Sequence, residues 1–315
     1  MKIALITPAG PRARNGNRGT AVRWAGMLRE LGHTVSVQVD WDGRAADLML
    51  ALHARRSHDS IRNFAVCCPQ NPLVVALTGT DLYRDIRSDE TAQESLKLAT
   101  RMIVLQDMGL RELAPALRRK THVVYQSAMT VKRAVPLKSC FEIIVSGHLR
   151  EEKDPFRTVA ALAHLPAQSR IRVTHIGGAM SPAMAQQAAS WMRHEPRYRW
   201  LGEVAHGKAL RLLARARLMV ISSRMEGGAN VVSEALANTV PVLASRIAGN
   251  IGMLGADYAG YYRLENEKAL ARLMTRAESE PGYYRTLVAQ CRARKPLTTH
   301  RHEREALRNV LQGIS

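Results

Sequence analysis

Glu226-Gly227-Gly228-Ala229-Asn230-Val231-Val232-Ser233-Glu234 sets two carboxylates eight positions apart across a glycine loop that opens a helix. The apolar run Leu218-Met219-Val220-Ile221 just before it reads as a buried strand, and Val231 to Ala237 has helical spacing. Gly227 and Gly228 let the backbone come close to a ligand. Strand, glycine turn and helix in that order predict a helix N-terminus whose N–H groups and positive dipole end face the loop, where a diphosphate can sit. Asn230 and Glu234 are four residues apart and share one helical face. Glu234, a turn inside the helix, can accept hydrogen bonds from two ribose hydroxyls, while Glu226 lies nearer to whatever the diphosphate carries. The arrangement suits a nucleotide sugar; the plainer reading is a helix with a capping Asn and a solvated Glu.

Outward from this element, strands and helices alternate along the whole chain, which predicts parallel sheets with helices on both faces. The first run opens with a strand at Lys2 to Thr7, a polar loop from Pro8 to Gly19, and a helix started by Thr20 whose Ala21, Trp24, Ala25, Leu28 and Leu31 share a face until Gly32 ends it. Further strands are expected at Thr34 to Val39, Asp47 to Leu52, Leu73 to Leu77, Met102 to Leu105 and His122 to Tyr125. The proline-bearing segment Ser127 to Ser139 lacks periodicity and reads as a linker. A second run starts at Phe141 to Ser146 and continues through Arg172 to Ile176, Tyr198 to Leu201, Leu218 to Ser222 and Val240 to Ala244, with helices after Glu265. A length of 315 residues exceeds what one core usually serves. The expected class is therefore α/β, with two Rossmann-like, doubly wound parallel-sheet domains facing a cleft: residues 1–135, residues 136–297, and a charged C-terminal helix at 298–315 that crosses back to the first.

With 46 Lys and Arg against 27 Asp and Glu, the formal charge is +19, which points to anionic partners. Aromatics are only 5%, and the arginines are spread along helix faces rather than interleaved with aromatics, which argues against a single-stranded nucleic-acid platform. Cys67 and Cys68 are adjacent in an apolar run, Cys140 and Cys291 stand alone, and none has a metal-ligand spacing. Thiols of that kind fit a reducing cytoplasm. The N-terminal Met1 to Ile6 is too short for a signal segment, and no run of 18 apolar residues occurs. The expectation is a protein without stable membrane insertion, although its charge permits loose contact with anionic lipid.

Taken together, Leu28-Arg-Glu-Leu-Gly-His-Thr-Val35, Gly147-His-Leu-Arg-Glu-Glu-Lys153-Asp154, the Glu226 and Glu234 pair, and Ala235-Leu-Ala-Asn-Thr-Val-Pro-Val-Leu-Ala244 resemble the GT-B glycosyltransferases of family 4 over nearly the whole chain. The wording of His53-Ala-Arg-Arg-Ser57, Ala76-Leu-Thr-Gly-Thr-Asp-Leu-Tyr83 and Ser222-Ser-Arg-Met-Glu-Gly-Gly-Ala-Asn230 is similar to a subgroup, the bacterial selenosugar synthases of selenoneine biosynthesis. That resemblance implies an enzyme that moves a sugar, N-acetylglucosamine, from a UDP-sugar to the selenium of selenophosphate. It also implies a place beside other selenoneine-pathway enzymes. No metal or other cofactor is implied, and an Asp-x-Asp in a loop suited to a divalent ion is missing.

Carried over residue by residue, the resemblance puts the donor on Gly147, Lys153, Glu234 and the backbone of Gly227, Gly228, Ala229 and Asn230, with Glu226 against the sugar. Lys153 matches the lysine that supplies a point charge to the β-phosphate, and Lys153 with Glu226 carries the catalysis of bond breaking. The family's usual Gly-Arg is replaced here by Gly147-His148. Either His148 or Arg150 then stands in for the missing guanidinium, or His148 is a packed histidine. In the first domain, hydroxyl-transferring relatives often carry His before Gly-x-Asp, whereas this chain has Thr78-Gly79-Thr80-Asp81. A sugar hydroxyl profits from proton removal, but selenophosphate is already ionised and its selenium is polarisable, so the acceptor needs no general base. Thr80 and Asp81 are catalytic candidates at that face; otherwise Asp81 caps a helix or orients a neighbour.

Two phosphorylated substrates in one site repel, by about 1 kcal/mol at 4 Å in water and about 4 kcal/mol at an effective dielectric of 20. Offsetting cations are sought at strand ends: Arg14 and Arg18 in the loop with Gly16, Asn17, Gly19 and Thr20, and Arg55 and Arg56 after His53. Each arginine alone reads equally as a solvated side chain. Rival functions are a glycosyltransferase with a sugar or lipid hydroxyl acceptor, a UDP-sugar epimerase, and a basic nucleic-acid binder with steep salt dependence.

Overall fold

Apolar runs uninterrupted by a polar face become strands covered on both sides. In the computed structural model, which describes residues 1–13 and 16–314, all five residues of Leu48–Leu52 and of Leu73–Leu77 are buried. The chain divides into two units, Met1–Gln126 together with the chain from Thr299 onward, and Ser127–Thr298.

The first unit holds β1 (Lys2–Ile6), β2 (Thr34–Gln38), β3 (Leu48–Leu52), β4 (Leu73–Leu77), β5 (Arg101–Val104) and β6 (Thr121–Val123) in the spatial order β2-β1-β3-β4-β5-β6. Every pairing is parallel; Ile3 lies opposite Val35 on one side and Leu48 on the other. The second unit repeats the plan with β7 (Phe141–Ser146), β8 (Ile171–Ile176), β9 (Tyr198–Trp200), β10 (Leu218–Ile221), β11 (Val242–Ser245) and β12 (Tyr261–Tyr262), ordered β12-β11-β10-β7-β8-β9 and again all parallel. The order reverses between β1 and β3 in one sheet and between β7 and β10 in the other. Loops leaving those strands turn to opposite sides and open a crevice at their carboxyl ends, where ligands bind such sheets.

The helix His300–Leu311 belongs to the first unit, where Leu307 and Val310 share a core with Trp24 and Leu28. Its Glu303 is fully buried and accepts from Trp24 Nε1 at 2.7 Å and from Arg23 Nε at 2.9 Å.

Three boundaries differ from the sequence reading. The first long helix starts at Gly16, not at Thr20, because the Thr20 hydroxyl bonds back to the Gly16 carbonyl and continues the helical ladder upstream. Residues 127–135 group with the second unit: Ala128 N–H donates to the Thr298 carbonyl and Val131 N–H to Asn238 Oδ1. The short strand β12, from the sequence Tyr261-Tyr262, went unread. Among the described residues no helix is long and apolar enough to cross a membrane.

Removing a buried carboxylate takes the acceptor from the buried Trp24 N–H and the counter-charge from Arg23, so Glu303→Ala is expected to destabilise the first unit by about 3 kcal/mol. Glu305→Ala, which removes an exposed, solvent-screened pairing with Arg301, should leave stability essentially unchanged. Urea unfolding of the two variants checks the difference.

Candidate functional site

In the second unit, the carboxyl ends of β7, β8 and β10 form a crevice lined by Gly147, His148, Lys153, His175, Ser223 and Glu226. It lies at the point where the strand order reverses. The walls are possible only because two glycines admit backbone to backbone. A Cβ on Gly177, which has φ +140°, would lie 2.0 Å from the Gly147 carbonyl oxygen, and one on Gly249 would lie 2.0 Å from the Glu226 carbonyl oxygen.

Lys153 and Glu226, 73 residues apart in sequence, meet here. Lys153 Nζ donates to Glu226 Oε1 at 2.5 Å, and Ser223 Oγ donates to the same oxygen at 2.5 Å. Behind Ser223 runs a chain of donors: Ser245 Oγ bonds the Ser223 carbonyl at 2.6 Å, and Asn250 Nδ2 bonds the Ser245 carbonyl at 2.9 Å. The lysine backbone is held from the other side, with Ser222 Oγ near the carbonyls of Lys153 (3.0 Å) and Asp154 (2.8 Å). Glu226 is 7% exposed, and its Oε2 makes no hydrogen bond among the described residues.

The helix Asn230–Ala237 follows directly. Ala229 is its cap residue, so Asn230 is the first helical position and not the cap; Gly227 is buried in the turn before it. Glu234 lies one turn in, 15% exposed at its side chain, and its Oε1 accepts from His206 Nε2 at 2.8 Å. Its Oε2, like that of Glu226, has no hydrogen-bond partner among the described residues. The bond to Glu234 raises the His206 pKa above its ordinary value, against a smaller opposing effect of burial.

Of the two stand-ins for the missing guanidinium, His148 lines the crevice, with Nδ1 accepting the Gly178 N–H at 3.1 Å. Arg150 is exposed and lies 4.0 Å from Glu152. His175, which sequence reasoning passed over, is fully buried behind Gly147: Nδ1 pairs with Tyr198 Oη at 2.9 Å and Nε2 with the Gly147 carbonyl at 3.3 Å. The one signal for it was a histidine beside Ile176 at the carboxyl end of a strand. His206, Ser223 and Gly249 had no local signal, since each matters through a partner 3 to 28 residues away in sequence.

In the first unit, the candidates gather at the ends of the adjacent strands β1, β3 and β4. Arg14 lies outside the described residues. Gly16, Asn17, Arg18 and Gly19 form the first turn of the helix Gly16–Glu30 instead of a loop. Thr20 is 2% exposed; its hydroxyl donates to the Gly16 carbonyl and accepts from the Gln126 amide.

His53 follows β3 in the left-handed region, with φ 76°, a conformation in which non-glycine residues store strain. Its Nδ1 accepts the Arg56 N–H at 3.3 Å, which puts the ring proton on Nε2, where it donates to Thr80 Oγ1 at 3.0 Å. The Thr80 hydroxyl proton is thereby left to point elsewhere. Burial lowers the His53 pKa, with Asp81 acting in the opposite direction.

Asp81 is fully buried and accepts from the amides of Ala54, Thr78 and Gly79. With both oxygens bonded to backbone amides it shapes the turn, the second of the two roles open to it. Arg55 pairs with Asp85 at 3.0 Å, whereas the exposed Arg56 has no ion pair among the described residues.

The sequence profile of the family described as glycosyl transferases group 1 matches residues 132–294, just over half of the chain. Glycosyltransferase 1 domain-containing protein 1 of Xenopus tropicalis is 23% identical over 352 aligned residues, which cover 100% of this chain and 97% of that protein. Among solved structures, Anabaena HepE in complex with UDP and glucose is similar with a TM-score of 0.79 at 16% identity, covering 99% of both chains. Sucrose-phosphate synthase from Thermosynechococcus elongatus is similar with a TM-score of 0.77 at 16% identity, covering 99% of this chain and 98% of that one. At such identities the likeness carries the fold, two doubly wound parallel sheets of the GT-B type, which is the class expected from the sequence.

Burial pushes the His175 pKa down to about 4 from 6.5. Below pH 6.5 the unfolded chain takes up a proton that the folded one refuses, so this group's contribution is intact above pH 6.5 and falls by about 3 kcal/mol on acidification to pH 4. A pH series of urea unfolding should show that slope in the wild type and a shallower one in His175→Gln.

Proposed function

The chain belongs to the glycosyl transferases group 1 family, and from that premise we propose that it takes a UDP-sugar as donor and moves the sugar, N-acetylglucosamine, onto the selenium of selenophosphate. The observation that carries the donor half is a pair of glutamates, Glu226 lining the β7/β10 crevice beside Lys153 and Glu234 one turn into the helix that follows, each with one oxygen held by a protein donor and the other without a hydrogen-bond partner among the described residues. Glu234 Oε2 meets the ribose hydroxyls and Glu226 Oε2 the sugar. Lys153 spends one of its three N–H groups on Glu226 and directs the others at the diphosphate. His148 and the backbone from Gly227 to Asn230 complete the anion site, helped by the positive end of the helix dipole. HepE, whose fold this chain shares, is a UDP and UDP-glucose complex in its solved structures, which supports a uridine nucleotide here.

The acceptor half is supported by the chemistry at the ends of β3 and β4. A hydroxyl nucleophile wants a base, but Asp81 is saturated by amides and His53 Nε2 carries its proton. What those strand ends offer an acceptor are donors and positive charge: the Thr80 hydroxyl, the Thr78-Gly79 turn and Arg56. These suit a nucleophile that arrives ionised. Arg18, Gly16, Asn17 and Gly19, at a helix N-terminus beside them, add to that field.

In the transfer, a selenium lone pair forms the bond to the anomeric carbon as its bond to the diphosphate oxygen breaks, and that electron pair leaves on UDP. The P–Se bond is untouched in this step. Negative charge grows on the leaving diphosphate, so Lys153 acts more strongly in the transition state than in the ground state. The resemblance of Ala76 to Tyr83 and Ser222 to Asn230 to the selenosugar synthases is what favours selenium as the acceptor atom.

Glu234→Ala is expected to raise KM for UDP-N-acetylglucosamine by about ten-fold to a hundred-fold with a smaller change in kcat. Lys153→Ala should lower kcat by about a hundred-fold or more. Wild-type kcat/KM in both variants would contradict the donor assignment. Mass spectrometry of the product made from UDP-N-acetylglucosamine and selenophosphate should show a hexosamine bearing selenium; transfer to a sugar or lipid hydroxyl that ignores selenophosphate would overturn the acceptor assignment.

A further inference from the structure

His206 opens the helix His206–Arg215, and its side chain is 63% exposed. It is nevertheless fixed at one end, with Nε2 against Glu234 Oε1 at 2.8 Å. Glu234 has no other side-chain hydrogen bond among the described residues; its backbone carbonyl accepts from Asn238. Without His206 no side-chain hydrogen bond among the described residues would fix which way its carboxylate turns. With it, one carboxylate oxygen is committed and the other is left in a defined direction.

We propose that His206 is a positioning residue for the donor ribose, holding Glu234 Oε1 so that Oε2 stands ready for the 2′- and 3′-hydroxyls, and that it sets the preference for a ribonucleoside diphosphate. The inference rests on the reading of Glu234 as the ribose contact. Its physical basis is preorganisation: a carboxylate ordered before the ligand arrives loses less freedom on binding than one that must be ordered by it. The glutamine side chain carries an N–H donor at a comparable reach, whereas leucine fills the space without one.

Titration calorimetry with UDP and with 2′,3′-dideoxy-UDP tests this directly, alongside kinetics with UDP-N-acetylglucosamine. His206→Leu is expected to weaken UDP binding by about ten-fold, to leave dideoxy-UDP binding unchanged, and so to erase most of the discrimination between the two. KM for the donor should rise with kcat little changed. His206→Gln should restore both affinity and discrimination. Because the side chain is largely exposed, both variants should melt with the wild type by circular dichroism.

His206→Leu that binds UDP as tightly as wild type, or more tightly, overturns the proposal; tighter binding would mean that the ribose has to break the His206–Glu234 bond. Equal losses for UDP and dideoxy-UDP also overturn it, since the effect would then bypass the hydroxyls. Glu234→Ala separates this inference from the reading beneath it. If Glu234→Ala loses discrimination and His206→Leu keeps it, the ribose contact stands and the positioning role falls. If Glu234→Ala itself binds UDP like wild type, the ribose contact falls too.

Discussion

The Lys153–Glu226 pair is the interaction that the rest of the second unit is built to hold. Two opposite charges with 21% and 8% side-chain exposure have given up most of their hydration, and such a pair is tolerated only when its geometry is fixed and its remaining hydrogen-bonding capacity is met. The fold supplies both. Ser223 shares the Glu226 oxygen, Ser245 and Asn250 hold Ser223, and Ser222 ties down the Lys153 backbone. Gly249 lets a helix backbone touch the Glu226 carbonyl, and Gly177 does the same for Gly147 across the crevice. A charge pair with one carboxylate oxygen and two ammonium protons uncommitted among the described residues suits a ligand that is anionic at one end and hydroxylated at the other.

The two sheets solve the same placement problem. In each, the strand order reverses near the middle, between β1 and β3 and between β7 and β10, and the polar residues gather at the carboxyl ends of those strands. The first unit offers donors in the form of Thr80, Arg56 and the Gly79 turn; the second offers paired carboxylates and a lysine. The two units thus carry different chemistry on a shared architecture.

Much of this was legible in the residue order. Strands buried on both faces leave unbroken apolar runs, so Leu48 to Leu52, Leu73 to Leu77 and Leu218 to Ile221 announced themselves. The glycine turn after Glu226 marked, for a similarly local reason, the loop that borders the crevice of the second unit. What failed to show was anything that depends on distant partners. Gly16 and Gly19 read as loop residues, yet the Thr20 hydroxyl and the helix ladder enclose them. Asp81 read as a reactive group in a polar turn, because no local pattern shows that the amide of Ala54, 27 residues upstream, would join Thr78 and Gly79 in occupying it. His206 lies 28 residues before the carboxylate it holds, and His175 acts on a carbonyl one strand away. Such roles are written in tertiary geometry.

A crystal structure of the protein soaked with UDP tests the central claim most directly. The account predicts the ribose within hydrogen-bonding distance of Glu234 and the diphosphate beside Lys153, at the ends of β7 and β10. UDP bound elsewhere, or a crevice that stays closed to it at saturating concentration, would contradict that claim.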